Sequence, residues 1–560
     1  MINIVMDIKN NLINSIKRAI NKAAFDGVIS FDEVPEIEIE VPKEKNFGDF
    51  STNVAMRMAS ILKKNPRQIA QAIAKYIDDE RTEKVDVAGP GFINFYLKKD
   101  WVYDVIPAIL REGEDYGRSN IGKGEKVQVE YVSANPTGPM HMGNARGGAI
   151  GDSIASILEA SGYNVTREFY INDAGNQIEK FALSLEARYL QLFGQPAEIP
   201  ENGYHGEDIV ERAKEFKDIY GDRYLNTSPE ERRKALCDYA LKKNVEKLKA
   251  DLEAYGIKYD VWFSEQSLYD SGKVDDVIKT LKANGSTYEK DGAIWFKASD
   301  YGAPKDEVLV RSNGIPTYLA SDIAYHRDKF IDRGFERVIT VLGADHHGHM
   351  ARMHAAMKAL GIDPERLQFI ILQLVRLVRG KEVVRMSKRT GKAISLIDLI
   401  EEVGKDAARF FFTMRSADSQ MDFDLDLAVQ KSNENPVYYV QYAHARICSM
   451  ESILKQEGIA LRDPDKIDYS ALKQEVEWEL MRKLADYPEE VALAAQNLEP
   501  HRITRYLLDL AGLFHNFYNT CRVKGEEEEL LQARFALALA VKVVIKNGLD
   551  LLKITAPERM

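Results

Sequence analysis

Residues 129–148 read VEYVSANPTGPMHMGNARGG, and this segment sets the architecture of the chain around it. The β-branched and aromatic run that ends at Val132 is typical of a buried strand. The turn residues Asn-Pro-Thr-Gly-Pro then end the strand, and a glycine-rich helix begins near Gly143 and continues through Leu158. The segment therefore predicts a strand, a tight loop and a helix, in that order.

A junction of this kind favours a phosphate-bearing ligand. The first turn of a helix offers unpaired backbone N–H groups and the positive end of the helix dipole. Small residues such as Gly143 and Gly147 let a ligand approach the backbone closely. The spacing matches neither G-x-x-x-x-G-K-[ST] nor G-x-G-x-x-G, so the predicted nucleotide site is of another type.

A second segment, residues 384–391, reads VRMSKRTG. It is a cationic, glycine-terminated loop that follows a predicted strand, and it can place Lys388 beside a polyphosphate. There a lysine would stabilise the charge that builds on a departing pyrophosphate. Taken alone, the loop could equally be an ordinary solvated basic loop.

Together the two segments resemble the HIGH and KMSKS signatures of class I aminoacyl-tRNA synthetases. The form S-A-N-P-T-G-P-x-H-x-G is that of the arginyl-tRNA synthetases, with His141-Met142-Gly143-Asn144 in the place of HIGH. Asp406-Ala407-Ala408-Arg409 resembles the DALR signature of the anticodon-binding domain, and 435–446 resembles its continuation. The resemblance spans nearly the whole chain.

The fold class is therefore expected to be α/β. It comprises a class I Rossmann-like catalytic domain, an N-terminal α+β tRNA-binding domain and a C-terminal all-α anticodon-binding bundle. We expect domain bounds of 1–118, 119–400 and 401–560, with an insertion at about 190–290 in the catalytic domain. Residues 35–42 alternate between acidic and apolar side chains and predict a half-exposed strand. Residues 292–296 and 308–311 are expected to resume the sheet after the insertion.

The resemblance also assigns site residues. The catalytic residues would be His141, Asn144 and Lys388. ATP would contact His141, Gly143, Asn144, Asp345, Met386, Ser387 and Lys388. Arginine would contact Glu130, Asn135, Tyr318, Asp322 and His346. A planar guanidinium calls for buried carboxylates. The spacing of Tyr318 and Asp322 puts both on one face of a helix.

Composition sets the remaining expectations. A chain of 560 residues with 45% hydrophobic and 29% charged residues predicts several soluble domains. The three cysteines are scattered, which indicates a reducing, cytoplasmic setting, and no apolar run approaches membrane-spanning length. The net charge of −11 does not exclude tRNA, because RNA can bind a local basic surface.

The expected substrates are L-arginine, ATP with Mg²⁺, and tRNA(Arg), and the expected assembly is a monomer. No protein-bound metal is expected, because the histidines at 346, 347 and 349 lack cysteine or Glu-x-x-His partners. The motifs depart from the family pattern at Asn144, which cannot carry the charge of histidine, and at Arg385 and Arg389.

Three alternatives stay open at the level of sequence. They are a class I synthetase for another amino acid, a catalytically silent tRNA-binding relative, and a small-molecule adenylating ligase. The sequence does not decide which tRNA bases are read or whether tRNA must bind before arginine is activated.

Overall fold

A computed structural model describes residues 4–29, 34–42, 44–344, 347–380, 382–384 and 394–560. The N-terminal part is a small α+β unit in which a three-stranded antiparallel sheet, ordered β1-β3-β2, packs on helices. Its elements are α1 (Ile4–Phe25), β1 (Phe50–Thr52), α2 (Val54–Leu62), α3 (Pro66–Ala74), β2 (Thr82–Ala88), β3 (Phe92–Leu97) and α4 (Val105–Glu112). The strand predicted at 35–42 is wrong, since among the residues described in this segment only Glu40 pairs, in an isolated bridge with Ser51.

The central part alternates strands and helices. Its elements are β4 (Lys126–Glu130), α5 (Met142–Ala160), β5 (Asn164–Ile171), α6 (Asn176–Gln191), α7 (Glu207–Tyr220), α8 (Pro229–Ala254), β6 (Val261–Ser264), α9 (Gln266–Asp270), α10 (Lys273–Ala283), β7 (Thr287–Lys290), β8 (Ala293–Phe296), β9 (Glu307–Val310), α11 (Tyr318–Arg327), β10 (Arg337–Gly343), α12 (His347–Ala359) and β11 (Leu367–Leu372).

A five-stranded parallel sheet, ordered β11-β10-β4-β5-β6, forms the frame of this part. The βαβα pattern therefore predicted the parallel sheet correctly. In the register, Glu130 at the end of β4 pairs with Thr340 of β10 on one side and with Glu168 of β5 on the other. The carboxyl ends of these strands consequently lie along one edge.

Two additions interrupt the sheet. Helices α6, α7 and α8 separate β5 from β6, and a three-stranded antiparallel sheet, ordered β7-β8-β9, lies between β6 and β10. The expectation that 292–296 and 308–311 rejoin the main sheet is wrong, because these residues form β8 and β9 of the separate sheet. Short strands with one buried face read alike in either setting.

The last part is mostly helical, as expected, with a small sheet at its start. Its elements are β12 (Val375–Arg379), β13 (Glu382–Val384), α13 (Leu396–Val403), α14 (Lys405–Thr413), β14 (Met421–Asp424), α15 (Leu425–Ala428), α16 (Pro436–Gln456), α17 (Glu475–Asn497), α18 (His501–Thr520) and α19 (Glu528–Leu551). The strands are ordered β13-β12-β14.

A buried arginine joins the helical part to the sheet. Arg409 of α14 is fully buried, and its guanidinium donates to Asp152 Oδ2 of α5 at 2.7 Å and to the Leu552 carbonyl oxygen at 2.8 Å. Asp152 also pairs with Arg167 of β5 at 3.3 Å. The helix that begins at the HIGH-like segment is thus fixed to the C-terminal part by a paired internal charge.

Candidate functional site

A cleft of about 910 Å³ opens at the carboxyl edge of the parallel sheet. Ligands of open α/β sheets bind at this edge. Residues at and beyond the carboxyl ends of β4 and β5 and within the last part of β10 line it, together with α11 and the segment 204–208 from the first addition. Six of the residues predicted from the sequence also line it: Glu130, Asn135, His141, Asn144, Tyr318 and Asp322.

The start of α5 lines the cleft. His141 is the exposed N-cap residue of this helix, and Asn144 Oδ1 accepts a hydrogen bond from the His141 backbone N–H at 3.0 Å. The residue that departs from the HIGH pattern therefore caps the helix start. Gly143 is exposed, and no described group approaches the position of a Cβ there within 4 Å.

The glycines further along α5 have a packing role. A Cβ at Gly151 would stand 2.4 Å from Tyr131 Cβ, and one at Gly148 would stand 2.7 Å from Ile257 Cδ1. Helix α5 can thus lie directly against the end of β4, which brings its N-terminus to the sheet edge.

The chain that follows the KMSKS-like loop pairs with the loop that carries His141. The Met142 N–H donates to the Ile394 carbonyl at 3.1 Å, and the Leu396 N–H donates to the Met140 carbonyl at 3.0 Å. Met386, Ser387 and Lys388 lie outside the described residues, as do Asp345 and His346. The two signatures are therefore joined through residues 394–396.

The cleft also holds a group of neighbouring carboxylates, contributed by Glu130, Glu265 and Asp322. Burial, with Glu265 and Glu130 nearby, raises the pKa of Asp322 to about 7. Burial also raises the pKa of Glu265 to about 7, against a hydrogen bond of 3.0 Å from the Ser321 hydroxyl. This part of the cleft suits a cation, which would return both groups to their charged form.

Glu265 was missed by the sequence analysis, although a signal was present. It directly follows β6, and a polar side chain after a parallel strand is expected at the ligand edge. It was overlooked because β6 falls within the range taken as an insertion. The structure places Glu265 on the cleft wall with only 2% of its surface exposed.

Lys329 was also missed. It lies in a π-helical segment, Asp328–Asp332, directly after α11, and its fully buried ammonium donates to Glu130 Oε2 at 2.6 Å. The ammonium also lies 3.9 Å from the centroid of the Tyr325 ring. Glu130 thus already has one internal cation, whereas within the described part of the chain Glu265 and Asp322 have no ion pair as close.

Tyr318 and Asp322 lie on the same face of α11, as their spacing predicts. Tyr318 begins this helix and is 48% exposed, with its ring against Gly175. Asp322 Oδ2 lies 3.7 Å from His349 Nδ1. Among the residues that the structure describes, no group of three histidine, cysteine or acidic side chains could hold a metal ion.

No helix within the described ranges has the length and apolar character needed to cross a membrane.

Comparison with known proteins gives matches over the whole chain. Three family models match: "Arginyl tRNA synthetase N terminal domain" over residues 10–97, "tRNA synthetases class I (R), catalytic domain" over 105–443, and "DALR anticodon binding domain" over 440–560.

Full-length relatives and a solved structure agree with these matches. The arginine–tRNA ligases of Caldanaerobacter subterraneus subsp. tengcongensis and Acetivibrio thermocellus are 63% and 60% identical to this chain, with all of each chain covered. The structure of Thermus thermophilus arginyl-tRNA synthetase superposes with a TM-score of 0.73 at 25% identity, covering 98% of this chain and 100% of that one. The chain therefore belongs to the arginyl-tRNA synthetase family of class I aminoacyl-tRNA synthetases.

Proposed function

We propose that the cleft at the sheet edge is the site at which this chain performs the activity of its family, the ATP-dependent attachment of L-arginine to tRNA(Arg). The observation that carries the proposal is that one cleft is lined both by the start of α5, a helix terminus of the kind that stabilises anions, and by the carboxylates of Glu130, Glu265 and Asp322. The triphosphate of ATP needs the first feature, and the guanidinium of arginine needs the second.

In the acidic part of the cleft, the guanidinium would lie between Glu265 and Asp322, with the Tyr318 hydroxyl beside it. Glu130, already neutralised by Lys329, would act with Asn135 on the α-amino and carboxylate end of arginine. An uncharged analogue would leave the buried carboxylate of Glu265 and the partly buried carboxylate of Asp322 without a partner, which is costly. Lysine matches the charge but not the planar fork of donors. His346 would complete this wall.

At the start of α5, His141, Gly143 and Asn144 would contact the ATP phosphates, with Asp345 near the nucleoside. Lys388, with Met386 and Ser387, would close on the β- and γ-phosphates. Magnesium would arrive on ATP as part of the substrate, since it is usually held by phosphate oxygens and water. These roles follow the family motifs and the location of His141 in the cleft.

The reaction then needs no side-chain nucleophile. A carboxylate oxygen of arginine bonds to the α-phosphorus of ATP, and the bond to pyrophosphate breaks. The terminal ribose hydroxyl of tRNA next bonds to the arginyl carbonyl carbon, loses its proton, and releases AMP. The work of the protein is positioning and charge stabilisation.

The flanking parts would bind the rest of tRNA(Arg). Residues 1–118 would contact its outer corner and 401–560 its anticodon, on either side of a catalytic domain at 119–400 that carries the insertion at about 190–290. We further propose a monomer that acts in the cytoplasm.

Arginine-dependent exchange of pyrophosphate into ATP tests the assignment. Asp322→Asn should raise KM for arginine and leave KM for ATP nearly unchanged, because it removes one partner of the guanidinium. Lys388→Ala should lower kcat on the order of 10²-fold with little change in KM, as for loss of a transition-state donor. Asp276→Asn, on the exposed face of α10, is the matched control. An Asp322→Asn variant with unchanged KM for arginine would contradict the proposal.

A further inference from the structure

The loop that leaves β4 has an unfavourable backbone conformation. Val132 and Ser133 have φ angles of 69° and 42°, in the left-handed region. A β-branched residue such as valine is rarely found there, and such a conformation persists only where surrounding contacts hold it. The two residues lie between Glu130 and Asn135, which both line the cleft. The direction in which the loop enters the cleft therefore depends on what holds it.

Some of the contacts that hold the loop come from the sheet itself. The Ser133 N–H donates to the Tyr131 carbonyl at 3.0 Å, and the Ser133 hydroxyl accepts from the Tyr170 N–H of β5 at 3.1 Å. These contacts fix the first half of the loop. Neither of these contacts involves the Pro136 carbonyl, which lies further along the loop.

Two further contacts come from outside every recognised motif. The Tyr259 hydroxyl donates to the Tyr131 carbonyl at 2.9 Å, and the two rings pack with their centroids 4.7 Å apart. Asn244 of α8 is buried and donates from Nδ2 to the Pro136 carbonyl at 2.8 Å. The two side chains thus hydrogen-bond to the loop at its first residue, Tyr131, and at its last, Pro136.

The amide of Asn244 is itself oriented by a neighbour. Its Oδ1 accepts a hydrogen bond from Arg212 Nε of α7 at 2.9 Å, so Nδ2 faces Pro136. Arg212 is in turn paired with Glu215 at 2.7 Å. The hydrogen bonds that hold the loop from outside therefore come from the chain between β5 and β6.

We infer that Asn244 and Tyr259 are positioning residues for arginine activation, which hold the strained loop 131–136 so that Asn135 and His141 meet their ligands in reactive geometry. This inference rests on the proposed roles of Asn135 and His141. Neither Asn244 nor Tyr259 lines the cleft, so both act through the loop. Their loss should disturb alignment more than affinity, because small displacements of reacting groups cost rate steeply.

Two tyrosine substitutions offer a matched comparison. Tyr259→Phe removes only the hydroxyl that holds Tyr131. Tyr189→Phe removes a hydroxyl of α6 that donates to the Gly221 carbonyl at 2.7 Å on the same helical addition, away from the loop and from Arg212. In pyrophosphate exchange, Tyr259→Phe should lower kcat by about tenfold or more, with a smaller change in KM for arginine. Tyr189→Phe should keep the wild-type kcat.

Asn244→Asp provides a second, nearly isosteric variant. It keeps an acceptor for Arg212 but places a carboxylate oxygen against the Pro136 carbonyl, so it breaks the contact with the loop selectively. The kcat of Asn244→Asp should fall as that of Tyr259→Phe does, while its thermal midpoint stays within the range set by Tyr189→Phe.

Wild-type kcat in both Tyr259→Phe and Asn244→Asp would overturn the inference, as would equal loss of kcat in Tyr189→Phe. Asp322→Asn, measured beside them, distinguishes failure of this inference from failure of the proposed function. If Asp322→Asn raises KM for arginine and the loop variants keep their kcat, only the inference fails. If Asp322→Asn also behaves as wild type, the assignment of the cleft fails.

Discussion

Binding of arginine to the cleft should release protons near neutral pH. Asp322 and Glu265 each have a pKa of about 7 in the empty cleft, whereas a guanidinium between them requires both to be ionised. The guanidinium itself stays charged throughout. Below pH 7, binding must therefore drive protons off the two carboxyl groups.

The expected size of the pH dependence of arginine affinity follows from the two pKa values. At pH 6 about one molecule in a hundred has both carboxylates charged, whereas at pH 8 about four in five do. Because the apparent affinity scales with this fraction, it should rise by about 100-fold between pH 6 and pH 8. If only one of the two carboxylates contacts the guanidinium, the rise should be about tenfold.

Isothermal titration calorimetry measures both quantities. Titrations at several pH values, each in two buffers of different ionisation enthalpy, give the affinity and the number of protons released. Asp322→Asn should reduce the pH dependence to about tenfold, since one titrating group is lost. His349→Gln controls for the imidazole that lies 3.7 Å from Asp322, and this variant should keep most of the pH dependence of arginine affinity. Affinity that is constant from pH 6 to pH 8, with no proton release, would show that neither carboxyl group is deprotonated when arginine binds.

Three further predictions concern stability. Without arginine, the free energy of unfolding should decrease from about pH 4.5 to pH 7 more in the wild type than in Asp322→Asn. In this pH range the Asp322 carboxyl, whose pKa is raised in the folded state, still binds a proton that the unfolded chain has lost. Urea unfolding across this range measures the difference. Lys329→Met should destabilise by about 3–5 kcal/mol by leaving Glu130 buried and unpaired, and Glu130→Gln in the same chain should restore part of the loss; no restoration would show that packing dominates. Arg409→Met should destabilise by a similar amount, about 3–5 kcal/mol, since Asp152 loses a fully buried partner, and chemical denaturation measures this directly.

Much of the site could be predicted from local pattern. The sequence around His141 and Asn144 predicts a strand, a loop and a helix start, and these elements lie where expected. The spacing of Tyr318 and Asp322 likewise predicts one shared helix face. Such features depend on neighbours in the chain, so periodicity and turn residues are enough.

Features that depend on distant pairing were missed. Glu130 and Lys329 meet across 199 positions, and nothing near Lys329 indicates that its ammonium is buried. Residues 292–296 form a strand as predicted but pair outside the main sheet, since a short apolar run does not specify its partner. The contact of Asn244 with Pro136 belongs to the same class.

If the carboxylates of the cleft select arginine for attachment to tRNA, their loss should be visible in the complete reaction. The most direct measurement is transfer of each radiolabelled amino acid to total tRNA with ATP and magnesium, by the wild type, Asp322→Asn and the control Asp276→Asn. We expect the wild type and Asp276→Asn to charge tRNA with arginine alone, and Asp322→Asn to lose this activity at low arginine concentration. Undiminished arginine charging by Asp322→Asn at low arginine, or wild-type charging with other amino acids, would contradict selection by these carboxylates.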